Sequence, residues 1–337
     1  MSEKSSKNSS KRPIRSGVGF VGGLLTAAAA GILVSRFTID HDVPLPEALA
    51  AERRTVALPS SGRVSYYADT AVSGPPLVLI HSINATASAI EMKPLFNHFR
   101  QQRPVYALDM PGYGFSDRID RPYSPDFFAQ TIQAFLQEVV GEPADVIGLS
   151  LSSEFLARAA LAAPALFRSL ALISPSGFTD RRSGRVTEQV GRSSANNSLY
   201  RLLSFPLWSQ ALFDLIAARF SLRFYLGKSF VGDIPEELIE YGYATAHQPG
   251  AKIVPLHFIS GQLFTQNAVD VLYKPLSLPT LILYDRDFYV RFDLLPELLA
   301  QNTHVRAVRL TPTLGLPHWE QLPETIKALD VFWSSAA

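Results

Sequence analysis

The stretch Ala144-Asp145-Val146-Ile147-Gly148-Leu149-Ser150-Leu151-Ser152 decides how the rest of this 337-residue chain is read. Ala144 to Ile147 is a short apolar run of the kind that forms a strand buried on both faces. Apolar residues return with helical spacing from Glu154 to Ala163, until Pro164 stops them. A serine between a buried strand and a helix occupies a tight, strained turn that admits only small residues two positions to either side. Gly148 and Ser152 meet that condition, although glycine is the usual residue at the second position. The turn also places the Leu151 amide at a helix N-terminus, where an unpaired N–H and the helix dipole stabilise a developing oxyanion.

Outward from this point the same alternation recurs. Apolar runs at Pro76 to Ile80, Val105 to Leu108, Leu170 to Ile173, Thr280 to Tyr284 and Val305 to Leu310 read as further parallel strands. Phe127 to Val140 reads as a helix between two of them, and Arg54 to Leu58 and Arg63 to Tyr67, joined at Ser61-Gly62, read as an opening hairpin. Strand alternating with helix predicts an α/β fold with a doubly wound, mostly parallel sheet. The interval from Ile173 to Thr280 is far too long for a simple crossover. Tyr200, Phe205, Trp208, Phe213, Phe220 and Phe224 recur there with helical spacing, predicting a helical lid over residues 182–265. Its aromatic residues are expected in its own core, with some facing an apolar cleft. The core is then residues 53–181 and 266–337.

A serine hydroxyl is a weak nucleophile until an imidazole accepts its proton. Of the seven histidines, His318 is the candidate, because Leu314-Gly315-Leu316-Pro317-His318-Trp319-Glu320 follows the last strand and opens the final helix. His98, His304, His247 and His257 read as structural. The imidazole needs a carboxylate to hold its tautomer, expected just after Thr280 to Tyr284. Asp285 and Asp287 both qualify and share parity; Asp287 is the choice, Asp285 the alternative and Asp180 a more distant one.

Composition bounds the partners. Lys and Arg number 31 against 30 Asp and Glu, for a net charge of +1, which leaves no basic excess for coating a phosphate backbone, so nucleic acid is not expected. The absence of cysteine excludes disulfides, a thiol nucleophile and thiolate metal sites, and neither metal nor cofactor is expected. Residues 1–15 form a basic, Ser-rich arm, and residues 16–35 carry no charge. As a helix that run could just cross a hydrocarbon core of about 30 Å. It reads as a single-pass anchor, followed by a linker over 36–52, with the main domain on the extracytoplasmic side because the basic flank precedes the run. Secretion after cleavage near Ala27 to Ala30 is the alternative. Gly19, Gly23, Ala27 and Gly31 form a small-residue stripe that would permit self-association. Gly17, Gly19 and Gly22 match a dinucleotide fingerprint, but no buried strand precedes them.

Two further motifs carry a resemblance. With Gly148 to Ser152, the segments His81-Ser82-Ile83-Asn84 and Asp109-Met110-Pro111-Gly112-Tyr113-Gly114-Phe115-Ser116-Asp117 make the chain resemble the α/β-hydrolase fold superfamily over roughly residues 53 to 337, specifically its lid-bearing, esterase/lipase-like serine hydrolases. The resemblance implies an oxyanion hole made by the Leu151 and Ile83 amides, with His81 and Asp109 bracing their loops. Ser82 departs from the family's glycine. Tyr284-Asp285-Arg286-Asp287-Phe288 also departs from its G-x-x-D spacing, which puts the acid at Phe288 unless the loop is one residue shorter. A serine nucleophile implies acyl transfer to water, here from a hydrophobic small-molecule or lipid-like ester. The same machinery serves carbon–carbon bond hydrolases, perhydrolases and amidases. A catalytically inactive, membrane-tethered binding module is the reading from a different class.

Overall fold

The computed structural model describes residues 29–180 and 197–336. Its sheet has the strand order β1-β2-β4-β3-β5-β6-β7-β8. The hairpin of β1 (Glu52–Leu58) and β2 (Gly62–Asp69) turns through Ser60 and Gly62, both at positive φ, and β2 pairs antiparallel with β4 (Val105–Leu108). From β4 onward the strands are parallel: β3 (Leu77–Ile80), β5 (Ala144–Leu149), β6 (Phe167–Ile173), β7 (Thr280–Tyr284) and β8 (Val305–Arg309). Every strand expected from the sequence is present, and the central ones, such as β3 and β5, are buried along their whole length.

The period of two divides those runs between two cores. Val78, Ile80, Val146, Leu170, Leu172 and Ile282 face one side. There they meet Phe128 and Ile132 of α3 (Pro125–Phe135), Phe155 and Leu156 of α4 (Ser152–Ala162), and Leu295 and Leu298 of α10 (Leu295–Gln301). Leu77, Leu79, Ile147, Leu149, Ala171, Ile173, Leu281 and Leu283 face the other side, against Leu95, Phe96 and Phe99 of α2 (Lys93–Phe99) and Leu329 and Phe332 of α12 (Leu322–Ala336). The chain passes from β3 outward to β4 and returns to β5 on the other side of β3. The reversal opens a crevice at the carboxyl ends of β3 and β5, the place where open α/β sheets hold ligands. The helix expected over Phe127 to Val140 is α3, capped by the Ser124 hydroxyl on the Phe127 amide, followed by a wider turn at Leu136–Val140 that Gly141 ends at φ +75°.

Between β6 and β7 lie α5 (Asn197–Leu203), α6 (Ser209–Ala217), α7 (Arg219–Leu226), α8 (Glu236–Ala246) and α9 (Ile253–Ile259). The predicted insertion is therefore helical where it is described; its beginning, through residue 196, lies outside the described residues. Its aromatic residues depart from expectation. Phe213 is fully buried, but Phe220 is 66% and Phe224 60% exposed, and Phe205 also faces outward.

The predicted span 16–35 falls mostly outside the described residues; its end belongs to a helix over 29–38 (α1) that continues past Arg36 to Thr38. Among the described residues no helix is long and apolar enough to cross a membrane. The expected linker is packed rather than free. Buried Asp214 on α6 accepts hydrogen bonds from Ser35 Oγ at 2.6 Å and from His41 Nε2 at 3.0 Å. The His41 ring stacks on His247, and Val43 exchanges hydrogen bonds with His247 and Gln248 at the end of α8. Ala48 and Leu49 are apolar enough to join the second core, where the Ala48 amide donates to Tyr67 Oη.

Candidate active site

Ser150 has φ +54°, a left-handed conformation rare for a residue with a β-carbon and worth about 1–3 kcal/mol of strain. The Ser150 amide donates to the Ile173 carbonyl at 2.8 Å, fixing the turn to the neighbouring strand. A β-carbon at Gly148 would stand 3.1 Å from Leu156 Cδ2, so the small residue there suits the close strand–helix packing. At the other flank Ser152 has found a use: its hydroxyl donates to the His81 carbonyl at 2.6 Å, tying the start of α4 to the loop after β3.

That loop is held by a group the sequence did not announce. The Glu91 carboxylate, buried, accepts from the Ser82 amide at 2.8 Å, from Ser82 Oγ at 3.0 Å and from Asn84 Nδ2 at 2.9 Å. Burial pushes the Glu91 carboxyl above its ordinary range, against the pull of those donors. The β-carbon at residue 82 is thus accommodated at negative φ with its hydroxyl partnered, and Ser82 replaces glycine without backbone strain. Only the departure at Ser82 itself hinted at a compensating acceptor. His81 is fully buried, with Nδ1–H donating to the Ser82 carbonyl and Nε2 accepting from the Met110 amide. Asp109 accepts from the Ala89 and Phe115 amides. Both side chains brace loops. With Ser82 N–H committed to Glu91, the Ile83 and Leu151 N–H groups are engaged by no other group among the described residues.

The two candidate acids separate by their partners. Asp285 accepts from Arg309 Nε at 2.7 Å and from the Thr313 amide at 3.0 Å, which clamps the end of β7 to the end of β8. Burial pushes its carboxyl up, but Thr313 and Arg309 outweigh that and leave it below the ordinary range. Asp287 uses Oδ1 for the Tyr289 and Val290 amides, at 2.6 and 3.2 Å, in a turn that fixes the carboxylate's direction. Its Oδ2 lies 3.3 Å from the position of a β-carbon on Gly315. Asp180 donates its amide to Asp293, at the edge of the described residues.

The structure does not bring His318 to Ser150 or to Asp287. The ring is 0% exposed in α11 (Pro317–Glu320), and its Nε2 lies 2.7 Å from the Glu91 carbonyl. A carbonyl only accepts, so Nε2 carries the proton and Nδ1 holds the lone pair. Nδ1 is buried without any hydrogen-bond partner. Trp319 Nε1 donates to the same Glu91 carbonyl at 2.7 Å, so the pair pins α11 against the segment that begins α2. Burial pushes the imidazole down to about 4, and it is neutral at physiological pH. As a base for Ser150 the ring would have to present its lone pair to that hydroxyl and its N–H to a carboxylate; neither contact exists. In the structure the His318 ring is engaged as a buried anchor of α11. No group of His, Asp and Glu among the described residues is arranged to hold a metal ion.

Comparison with known proteins places this geometry in a family. The sequence model of the Alpha/beta hydrolase family matches residues 77–326, well over half of the chain. Esterase Rv0045c of Mycobacterium tuberculosis is 32% identical over 117 residues, 34% of this chain and 38% of that protein. The chain spans only about a third of the length of the curated relatives it matches. The crystal structure of a bacterial membrane phospholipase A superposes with a TM-score of 0.65 at 18% identity, covering 95% of this chain and 96% of that one. A meta-cleavage product hydrolase of Pseudomonas fluorescens IP01 superposes with a TM-score of 0.65 at 16% identity, covering 84% of this chain and 98% of that one. At such identities the structures speak for the fold alone. A serine at a strained strand–helix turn on this sheet, together with the match over residues 77–326, means that the chain belongs to the α/β hydrolase family.

Proposed function

We propose that the chain receives a hydrophobic ester at the carboxyl edge of the sheet, its carbonyl carbon against Ser150 Oγ and its oxygen facing the Ile83 and Leu151 amides, and hydrolyses it slowly. The observation that carries this reading is the strained turn at Ser150, a non-glycine residue held at positive φ between β5 and α4. The similarity to an esterase supports an ester as substrate. In the reaction, Oγ bonds to the carbonyl carbon as the π pair moves onto oxygen, and the serine proton must leave. With no imidazole at the hydroxyl, that proton goes to water, and acylation loses the factor of about 100 to 10,000 that a placed base contributes. The uncharged run 16–35 supports a lipid-like ester taken up near a bilayer, with the domain held by an N-terminal anchor.

The anchored state of His318 favours a second reading, a binding module without turnover. A fluorophosphonate probe together with p-nitrophenyl esters of increasing chain length separates the two. Slow labelling and slow hydrolysis, both lost in Ser150→Ala, support the slow hydrolase. Ester binding with neither labelling nor hydrolysis supports the binding module.

A further inference from the structure

α1 turns its apolar side to solvent. Among the described residues Ser35 is the only buried one on this helix, held by Asp214, while Ala30, Leu33, Val34 and Phe37, spaced as one helical stripe, face outward. Such a stripe normally packs on a core. A β-carbon on Gly31, one turn before Ser35, would meet nothing within 4 Å among the described residues, so the helix lifts off the body there. We infer that a lipid bilayer covers this stripe, and that the outward faces of α6 and α7 lie in the same membrane surface with their apolar side chains at the level of the headgroups. The inference rests on the reading of an N-terminal anchor and deepens it.

The faces are contiguous. Leu215 follows Asp214 directly on α6 and, like Leu33, Val34, Phe37, Phe220 and Phe224, is more than half exposed. A row of rings joins the segment after α1 to the start of α7: His41 stacks on His247, His247 stacks on Tyr243, and the Arg219 guanidinium lies 3.6 Å from the centre of the Tyr243 ring. Phe220 and Phe224, one turn apart, follow on the outward side of α7. Beyond them the face reaches the loop after β7, where Lys228 Nζ sits 4.3 Å from the centre of the Phe224 ring and 4.0 Å from that of Phe288.

The chemistry of the face selects its occupant. From α1 the sequence runs back without a charge as far as Ser16, which suits hydrocarbon and not water. Arg219 and Arg223 are paired with Glu240 and Glu236, so no cationic excess there calls for an acidic partner. Phenyl rings beside a lysine match a membrane interface, where the rings meet acyl chains and the ammonium meets phosphate. A face of this kind lies about 5–10 Å into the boundary between headgroups and chains.

Because the chain has no cysteine, a single one can be placed and labelled. The test uses the full-length chain in phosphatidylcholine vesicles, with a nitrobenzoxadiazole dye on Phe37→Cys, Phe224→Cys or, on α12, Val331→Cys. The vesicles carry phosphatidylcholine with a nitroxide either at the headgroup or deep in the acyl chain. All three side chains are exposed, so the fold tolerates the label. The dyes at 37 and 224 should shift to the blue and be quenched, the one at 224 more by the headgroup nitroxide than by the deep one, and the dye at 331 should do neither. Phe220→Ser should weaken the quenching at 224. Quenching at 37 with the dye at 224 left in water overturns the inference and leaves the anchor standing. A blue shift at 224 without quenching, together with energy transfer between labelled copies, overturns it in favour of a second copy of this chain. Equal quenching at 331 also overturns it, because the contact would then select no face. Vesicles that float free of protein remove the anchor and the inference together.

Discussion

Ser150 and its neighbours show how much one turn asks of single residues. Gly148→Ala would push a methyl group to 3.1 Å from Leu156 Cδ2, and overpacking at a strand–helix contact costs about 1–3 kcal/mol. Urea unfolding should show the midpoint falling with an unchanged slope. Asp285 and Asp287, alike in sequence, should part in experiment. Asp285→Asn leaves one acceptor oxygen for the two donors of the β7–β8 clamp and removes the charge facing Arg309, and it should lower the thermal midpoint, whereas Asp287→Asn should leave that clamp intact. Ser150 was legible because a strand, a serine and a helix in sequence define the turn by themselves. The choice between the two acids rested on an assumed shortening of the loop, and their partners now separate them. His318 was chosen by its place after the last strand, which says nothing about where a ring turns. Its direction is decided by the Glu91 carbonyl, far away in the chain, and main-chain acceptors leave no mark in a sequence.

At the scale of elements, strands were legible and the insertion only partly so. A parallel strand covered on both faces must be largely apolar, so β3, β5 and β7 declare themselves. Helices packed on one side leave their other residues free to be anything, and Phe220 and Phe224 keep helical spacing while facing outward. The segment after α1 was read as a spacer because it is polar and contains proline, yet Ala48, Leu49 and the Asp214 contacts dock it. Asp214→Ala should release it. Limited proteolysis is expected to cut between residues 36 and 51 faster than in wild type while the fragment from β1 onward resists. Equal cutting rates would show that the docking depends on the apolar residues instead.

At the scale of the whole molecule, two buried imidazoles make acid costly, while the buried carboxyls of Glu91, Asp109 and Glu154, pushed up by burial, act in the opposite direction. His81 and His318 are fully buried, and burial pushes each imidazole down to about 4, below the value of about 6.5 that it has in an unfolded chain. Between those values the unfolded state binds more protons, so stability rises with pH across the window and is lost as pH falls from about 6.5 toward 4. His318→Gln, which removes one titrating ring, should lose less of its thermal midpoint between pH 7 and pH 4.5 than the wild type loses.

The grip of Asp214 on Ser35 and His41 has a mechanical meaning. Asp214 belongs to α6, which packs on α7 and α8, and the docked segment reaches a strand only further on, where Ala48 meets Tyr67. A pull applied through the first residues of the chain would therefore load the helices inserted after β6 before any strand felt it. In this protein the segment around Ser35 and His41 is a handle on the roof of the molecule, and its foundation would stay at rest.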